Sequence, residues 1–196
     1  MKNRRRIQAA SLLAPLTMAP LFAAAFTLAG CAAGSIAGAA MELAGLRKPP
    51  ELPEFQKPPR QIAIHLHAGG NLNAGADGQP LALAARIYKL RQSAAFERAS
   101  YGGFLNAQTE RELLGADLVE VKEVQLIPGQ RYDVIESVGR DAAHIGVVAL
   151  FRKPAPQRWR AAFSASEAEK SGITIGLHAC ALTVQGQPLV GTRCQP

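Results

Sequence analysis

Eight short runs of alternating or β-branched residues follow one another in the last two thirds of the chain. They cover residues 61–67, 81–90, 118–127, 132–138, 145–151, 173–177, 180–184 and 189–194. Each run is bounded by Gly, Pro, Asn or Asp, which favour turns because of their backbone freedom or their short polar side chains. Many short strands separated by turns are typical of a two-sheet β-sandwich. We therefore predict a mainly β fold, formed by a single domain of residues 60–196.

Helix signals occur between the second and third runs. Ser93 can cap a short helix that extends through Ala99. The sequence Thr109-Glu110-Arg111-Glu112 has the pattern of a capping box, and Gly115 can end the helix that follows. We predict a short helical insert that packs on one edge of the sheets through three apolar side chains, Phe96, Phe104 and Leu113.

The first thirty residues have the features of an export signal. Lys2 and Arg4–Arg6 form a basic start, and residues 9–29 are apolar and uncharged. The run ends in the tetrapeptide Leu28-Ala29-Gly30-Cys31, an aliphatic residue and two small ones before a thiol. Pro15 and Pro20 argue against the alternative, an uncleaved transmembrane helix. We predict that Leu28, Ala29 and Gly30 are recognised by a lipoprotein signal peptidase, that residues 1–30 are removed and that Cys31 is acylated.

Residues 31–59 have the composition of a tether between the lipid and the domain. Alanine and glycine come first, and five prolines follow between residues 49 and 59, which favours an extended, semi-rigid chain. Ala32 stands where an aspartate would favour retention at the inner membrane, so we expect an outer-membrane lipoprotein that faces the periplasm. Removal of residues 1–30 takes away four of 22 basic residues and leaves a net charge of +3. Without a basic run, nucleic-acid binding is not expected.

The other two cysteines form a candidate disulfide. Acylation of Cys31 leaves Cys180 and Cys194 as an even pair in an oxidising compartment. The residues between them are typical of a hairpin centred on Gln187, which would bring the two thiols together. The alternative is a pair of buried free thiols.

The sequence lacks the common catalytic patterns, so an enzyme is not expected. The sequence contains no Gly-x-Ser-x-Gly elbow, no phosphate-binding glycine loop and no His-Glu-x-x-His. His65 and His67 share one face of a strand, but no third ligand can be identified, and a solvated surface is the simpler interpretation. Asp77 is best explained as a turn residue, and Trp159 as a core residue. We expect no catalytic residues, no metal and no cofactor.

A set of motifs resembles the TssJ family, the outer-membrane lipoproteins of type VI secretion systems. The motifs occur in the order Leu28–Cys31, Asn71–Asn73 with Asp77–Pro80, Arg86–Leu90, Leu126–Gln130, Ile145–Arg152 and Trp159-Arg160. The resemblance implies a transthyretin-like β-sandwich with an added helical segment. It also implies that the chain anchors the periplasmic C-terminal domain of the inner-membrane protein TssM to the outer membrane through acylated Cys31.

In that family the loop between the first two strands is implicated in the contact with TssM. Here this partner-binding loop corresponds to Gly69, Gly70, Asn71, Leu72, Asn73, Ala74, Gly75, Ala76, Asp77, Gly78, Gln79 and Pro80. An alternative function is the binding of a small solute or glycan, which needs a deep apolar pocket. The low aromatic content of 6% makes a sugar platform improbable, and we expect no small-molecule substrate.

Overall fold

The computed structural model describes residues 51–75, 77–185 and Cys194. Its strands are β1 (Arg60–Ala68), β2 (Leu83–Leu90), β3 (Leu118–Leu126), β4 (Arg131–Val138), β5 (His144–Ala149), β6 (Arg160–Ser164), β7 (Ile173–Leu177) and β8 (Leu182–Val184). They form a first sheet in the order β4-β1-β7-β8 and a second sheet in the order β3-β2-β5-β6. Strands β1 and β7 are parallel, and the other neighbours are antiparallel. The predicted two-sheet β-sandwich is confirmed.

The alternation along β1 explains how the first sheet is buried on one face. Ile62, Ile64 and Leu66 are fully buried in the core between the sheets, where each apolar side chain contributes roughly 1.5–3 kcal/mol. His65 lies on the other face, where its Nδ1 is 2.6 Å from Asp133 Oδ1 on β4. No cluster of three metal-ligating side chains occurs within the part of the chain that the structure describes.

The helical insert covers the outer face of the second sheet rather than one edge of the sandwich, so the predicted position was wrong. It contains α1 (Ala94–Arg98), α2 (Ala107–Leu114) and 3-10 turns at Tyr101–Leu105 and Gly115–Asp117. Phe96 and Phe104 pack against Tyr88 of β2, with ring centroids 5.4 and 5.8 Å away. Strand β2 is therefore buried on both faces, Ile87 against the core and Tyr88 against the insert.

Two details of the insert differ from the sequence prediction. The cap of α2 is Asn106, whose side chain accepts hydrogen bonds from the backbone amides of Gln108 and Thr109, so the predicted capping box Thr109–Glu112 lies inside the helix instead of at its start. Leu114 is the buried leucine of this helix, whereas Leu113 is exposed. Gly115, with φ of 49°, ends α2 as predicted.

Two neighbouring elements, β6 and the helix α3 (Ala165–Ser171), were not predicted from the sequence. Strand β6 has the sequence Arg-Ala-Ala-Phe-Ser, without a β-branched residue, and all five residues are half-buried. Helix α3 packs its alanines Ala165 and Ala168 into the core. The predicted strand 189–194 and the turn at Gln187 lie outside the described residues, apart from Cys194.

The chain enters the sandwich at Arg60, the first residue of β1. Just before it, Glu54–Gln56 forms one 3-10 turn, so this end of the predicted tether is not fully extended. Glu54 Oε1 lies 2.8 Å from the Arg60 guanidinium and 2.9 Å from that of Arg140. These ion pairs attach residues 54–59 to the domain. None of the described helices is long and apolar enough to cross a membrane.

Candidate partner-binding surface

Residues 69–82 form the β1–β2 loop, which contains the predicted partner-binding segment Gly69–Pro80. Because β1 and β2 belong to different sheets, the loop crosses from one sheet to the other at one end of the sandwich. It is therefore not a hairpin. Strand β1 has nine residues, and at 3.3 Å per residue it separates this loop from the tether entry at Arg60 by about 30 Å.

The base of the β1–β2 loop is hydrogen-bonded to the segment that follows β7. The Gly69 amide donates to the Leu177 carbonyl at 2.7 Å, the Asn73 amide to His178 at 2.9 Å and the Ala74 amide to Ala179 at 3.0 Å. Leu72, between these contacts, is fully buried. Backbone pairing on this scale holds a loop in one position, so the base of the loop is a rigid support.

The Asn73 side chain links the start of the loop to its end and to the segment that follows β5. Its side chain accepts a hydrogen bond from the Arg152 amide and donates one to the Ala82 carbonyl, each at 2.8 Å. The residue is 7% exposed and has φ of 47°, a left-handed conformation that asparagine tolerates better than most residues. Asn73 was predicted to be a contact residue, but in the structure it holds the loop in position. The sequence clue to this role was its place next to the apolar Leu72 in an otherwise polar turn.

Replacing Asn73 with alanine is expected to lower the free energy of unfolding by about 1–3 kcal/mol, because it removes two part-buried hydrogen bonds and puts alanine at a positive φ. Urea unfolding of the non-acylated protein measures this. The matched variant Asn71→Ala changes an exposed asparagine of the same loop and is expected to stay within about 0.5 kcal/mol of the wild type. Equal losses in both variants would contradict the role of Asn73.

The loop tip, residues 77–82, is exposed. It is closed by hydrogen bonds of its own: Gly75 N donates to the Gln79 carbonyl at 2.8 Å, and Gln79 N to Asp77 Oδ1 at 3.1 Å. Gly78, with φ of 75°, allows this turn. Together with Gly70 and Asn71, the tip provides the exposed part of the predicted segment, whereas Leu72 and Asn73 are buried. Ala76 lies outside the described residues.

Cys180 and Cys194 are joined by a disulfide, with Cα atoms 5.6 Å apart. The Cys180 carbonyl accepts a hydrogen bond of 2.8 Å from the Ala155 amide. The disulfide therefore lies in the segment that supports both the β1–β2 loop and the 150–159 connection. The predicted lipidation site, Leu28–Cys31, lies outside the described residues.

His178 belongs to the same support. Its Nε2 is 3.1 Å from Thr183 Oγ1, and burial lowers the pKa of its imidazole below the ordinary value. The neutral ring is the form that this environment favours, because burial penalises the charged form.

Acidification is expected to destabilise the domain in part through His178. Since the folded pKa is below that of the unfolded chain, the unfolded state binds more protons as the pH falls through about 6.5, and the free energy of unfolding decreases. Urea unfolding at pH about 7.5 and about 5.5 should show a smaller loss in His178→Gln than in the wild type. The control variant is His67→Gln, which removes an outward imidazole of β1 instead. If His178→Gln lost as much unfolding free energy between the two pH values as the wild type does, the expectation would be contradicted.

Comparison with known proteins places the chain in a family. A family model described as type VI secretion lipoprotein, with the names VasD, EvfM and TssJ, matches residues 60–180. The chain belongs to this family of type VI secretion lipoproteins. The matched residues include the strands β1 to β7 and the whole β1–β2 loop. A comparison with curated protein sequences finds no match.

Solved structures of type VI secretion proteins share the fold. The T6SS lipoprotein TssJ1 from Pseudomonas aeruginosa is 32% identical with a TM-score of 0.58, and the match covers 67% of this chain and 98% of that one. A chain of a structure described as a type VI membrane complex is 26% identical with a TM-score of 0.59, covering 66% and 98%. A chain of a structure described as the TssM C-terminal domain (869-1107) from EAEC is 26% identical, with a TM-score of 0.55 and coverages of 66% and 99%.

Proposed function

We propose that this type VI secretion lipoprotein ties the periplasmic C-terminal domain of TssM to the outer membrane. The lipid on Cys31 holds the bilayer, and the exposed part of the β1–β2 loop binds TssM. The observation that carries the proposal is the separation along β1. The chain coming from the lipid enters at Arg60, and the loop lies about 30 Å away at the other end of this strand. The domain can therefore bind a partner while its lipid stays in the membrane.

The rigidity of the loop base supports the same function. A surface that is already ordered loses less conformational freedom on binding, so more of the contact energy appears as affinity. Asn73 and the backbone pairing with His178 and Ala179 provide that order. Two of the similar structures are described as a type VI membrane complex and as the TssM C-terminal domain, and these descriptions supply the proposed partner.

The test targets the loop tip alone. Deleting all of Gly69–Pro80 would remove the buried Leu72 and Asn73 and confuse binding with folding. The triple variant Asp77→Ala, Gln79→Ala and Leu81→Ala changes three exposed side chains instead. We expect its affinity for the purified TssM domain, measured by calorimetry, to fall at least about tenfold, which corresponds to a loss of about 1.4 kcal/mol.

A control triple variant replaces the same three residue types at positions away from the loop. It combines Asp141→Ala, Gln61→Ala and Leu105→Ala, all exposed positions. Both triple variants should unfold at nearly the same urea concentration as the wild type, because surface substitutions change stability little. Unchanged affinity in the loop-tip variant, or equal losses in both, would count against the loop as the binding surface. No binding by the wild-type protein would refute the proposed partner.

Solute binding was the alternative, and it requires an enclosed apolar pocket. A cleft of about 570 Å³ lies beside the tether entry, and its lining includes Glu54, Lys57, Arg140 and Asp141. This cleft is open and bordered by charges, some already paired with one another. It offers the alternative no support.

A further inference from the structure

Three exposed cations surround the β1–β2 loop. Arg131 begins β4 directly after Gln130, whose carbonyl accepts the Ala68 amide at 2.9 Å. Arg152 and Lys153 follow β5, and the Arg152 amide is the one that donates to Asn73. All three side chains are exposed. We call these residues, Arg131, Arg152 and Lys153, the cationic rim.

The cationic rim lacks neutralising partners within the described residues. No carboxylate there lies within 4 Å of the side-chain nitrogens of Arg131, Arg152 or Lys153. Among the described residues of the loop and its neighbouring segments, 127–131, 150–159 and 178–181, Asp77 is the single acidic residue. Its carboxylate accepts the Gln79 amide. This end of the sandwich therefore presents positive charge to the solvent.

The tether end has the opposite arrangement. There Arg60 and Arg140 are both paired with Glu54, and both lie within 3.6 Å of Glu169. Lys57 lies 3.0 Å from Glu54 Oε2. At the tether end Lys57, Arg60 and Arg140 are thus each paired with a carboxylate, whereas Arg131, Arg152 and Lys153 at the loop end are not paired with any described carboxylate. The three exposed, unpaired cations of the rim lie where the proposed partner binds.

We propose that the cationic rim is a second part of the docking surface and that it takes an acidic protein surface, carried by the partner that the loop tip binds. The inference rests on the proposed function and adds the chemistry of the partner. Complementary charge at the border of an interface speeds encounter and penalises wrong partners. The loop tip then provides close contacts, and the cationic rim provides orientation and rate of association.

A protein surface fits this position better than an anionic lipid surface. The rim and the tether entry at Arg60 lie at opposite ends of β1, so the rim points away from the end that leads to the acylated cysteine. A membrane-binding patch would instead gain from lying beside the lipid, where the two attractions act on the same bilayer.

The experiment reverses three charges in each of two matched variants of the full mature chain, purified in detergent. The rim variant is Arg131→Glu, Arg152→Glu and Lys153→Glu. The control variant is Arg98→Glu, Arg111→Glu and Lys170→Glu, which changes the net charge equally at exposed positions away from the loop. Association with the TssM domain is followed by surface plasmon resonance at about 0.1 M and about 1 M salt, over which the Debye length falls from about 10 to about 3 Å.

We expect the association rate of the rim variant to fall at least about tenfold at low salt, while the control variant stays within about threefold of the wild type. High salt should slow the wild type toward the rim variant. Equal effects in the two variants, or a wild-type rate in the rim variant, would overturn the acidic surface. In that case the proposed function stands if the loop-tip triple still loses affinity, and it fails if the wild type does not bind. If the rim variant lost binding to phosphatidylglycerol vesicles but kept the wild-type association rate with the TssM domain, the rim would be assigned to lipid and the inference would be overturned.

Discussion

The Phe96→Ala variant is expected to lose about 3–5 kcal/mol of unfolding free energy, the range for truncation of a buried phenylalanine. Phe96 of the insert is fully buried against the second sheet, and its ring centroid lies 5.4 Å from that of Tyr88 and 5.5 Å from that of Phe104. Gly146 of β5 faces the ring. A Cβ there would lie 2.7 Å from Phe96 Cζ, so the glycine leaves room for the ring and has no side chain to fill the cavity left by alanine.

Phe55→Ala is the control for Phe96→Ala. Phe55 is 78% exposed in the segment before β1, and its truncation should change the free energy of unfolding by no more than about 0.5 kcal/mol. Both variants are compared with the wild type by urea unfolding of the non-acylated protein. A loss below about 1 kcal/mol in Phe96→Ala would mean that the insert does not rely on the aromatic contact.

Cys31→Ser is expected to abolish membrane anchoring through lipid. Serine lacks the thiol that accepts the diacylglyceryl group, and each methylene of an acyl chain contributes about 0.8 kcal/mol to insertion, so the loss removes the whole anchor. Because an uncleaved leader would itself hold the variant in the inner membrane, a second form carries a signal peptide that is cleaved without lipidation. We expect the outer-membrane fraction of this form to fall at least about tenfold, with the protein recovered in the periplasm.

The double variant Cys180→Ser and Cys194→Ser is the control, because it removes two thiols without touching the lipidation site. It should remain in the outer-membrane fraction. Mass spectrometry of the N-terminal peptide shows whether Cys31 carries acyl groups. An unmodified Cys31, or an outer-membrane fraction unchanged by Cys31→Ser, would contradict the anchor.

The strands could be predicted from the sequence where alternation is strong. In β1 the apolar residues Ile62, Ile64 and Leu66 alternate with Ala63, His65 and His67, and this pattern has few other structural solutions. Strand β6 escaped because alanines at 161 and 162 carry no β signal. Helix α3 had a signal that was overlooked: Ser164 with Glu167 three residues later has the pattern of a capping box, although the Ser164 side chain makes no capping hydrogen bond.

The position of the insert could not be predicted, because local patterns do not say which face of which sheet a helix covers. The clearest sequence clue was Gly146, since a glycine within an apolar strand indicates close approach of another group, here the Phe96 ring. The same limit applies to the proposed partner-binding surface. Its position after β1 followed from the family resemblance, whereas the proposed contribution of Arg152 and Lys153 depends on Asn73, which brings a connection 79 residues away against the loop.

The place of β1 within its sheet has a mechanical consequence. A pull between the lipid and a partner on the loop would run along this strand, from Arg60 to Ala68. Strand β1 lies between β4 and β7 and is hydrogen-bonded to both. Because both ends of the pull act on this one extended strand, its covalent backbone would carry the load, and neither ladder would have to break. If the lipid and the partner are bound as proposed, the load would thus pass through a strand that is hydrogen-bonded on both sides.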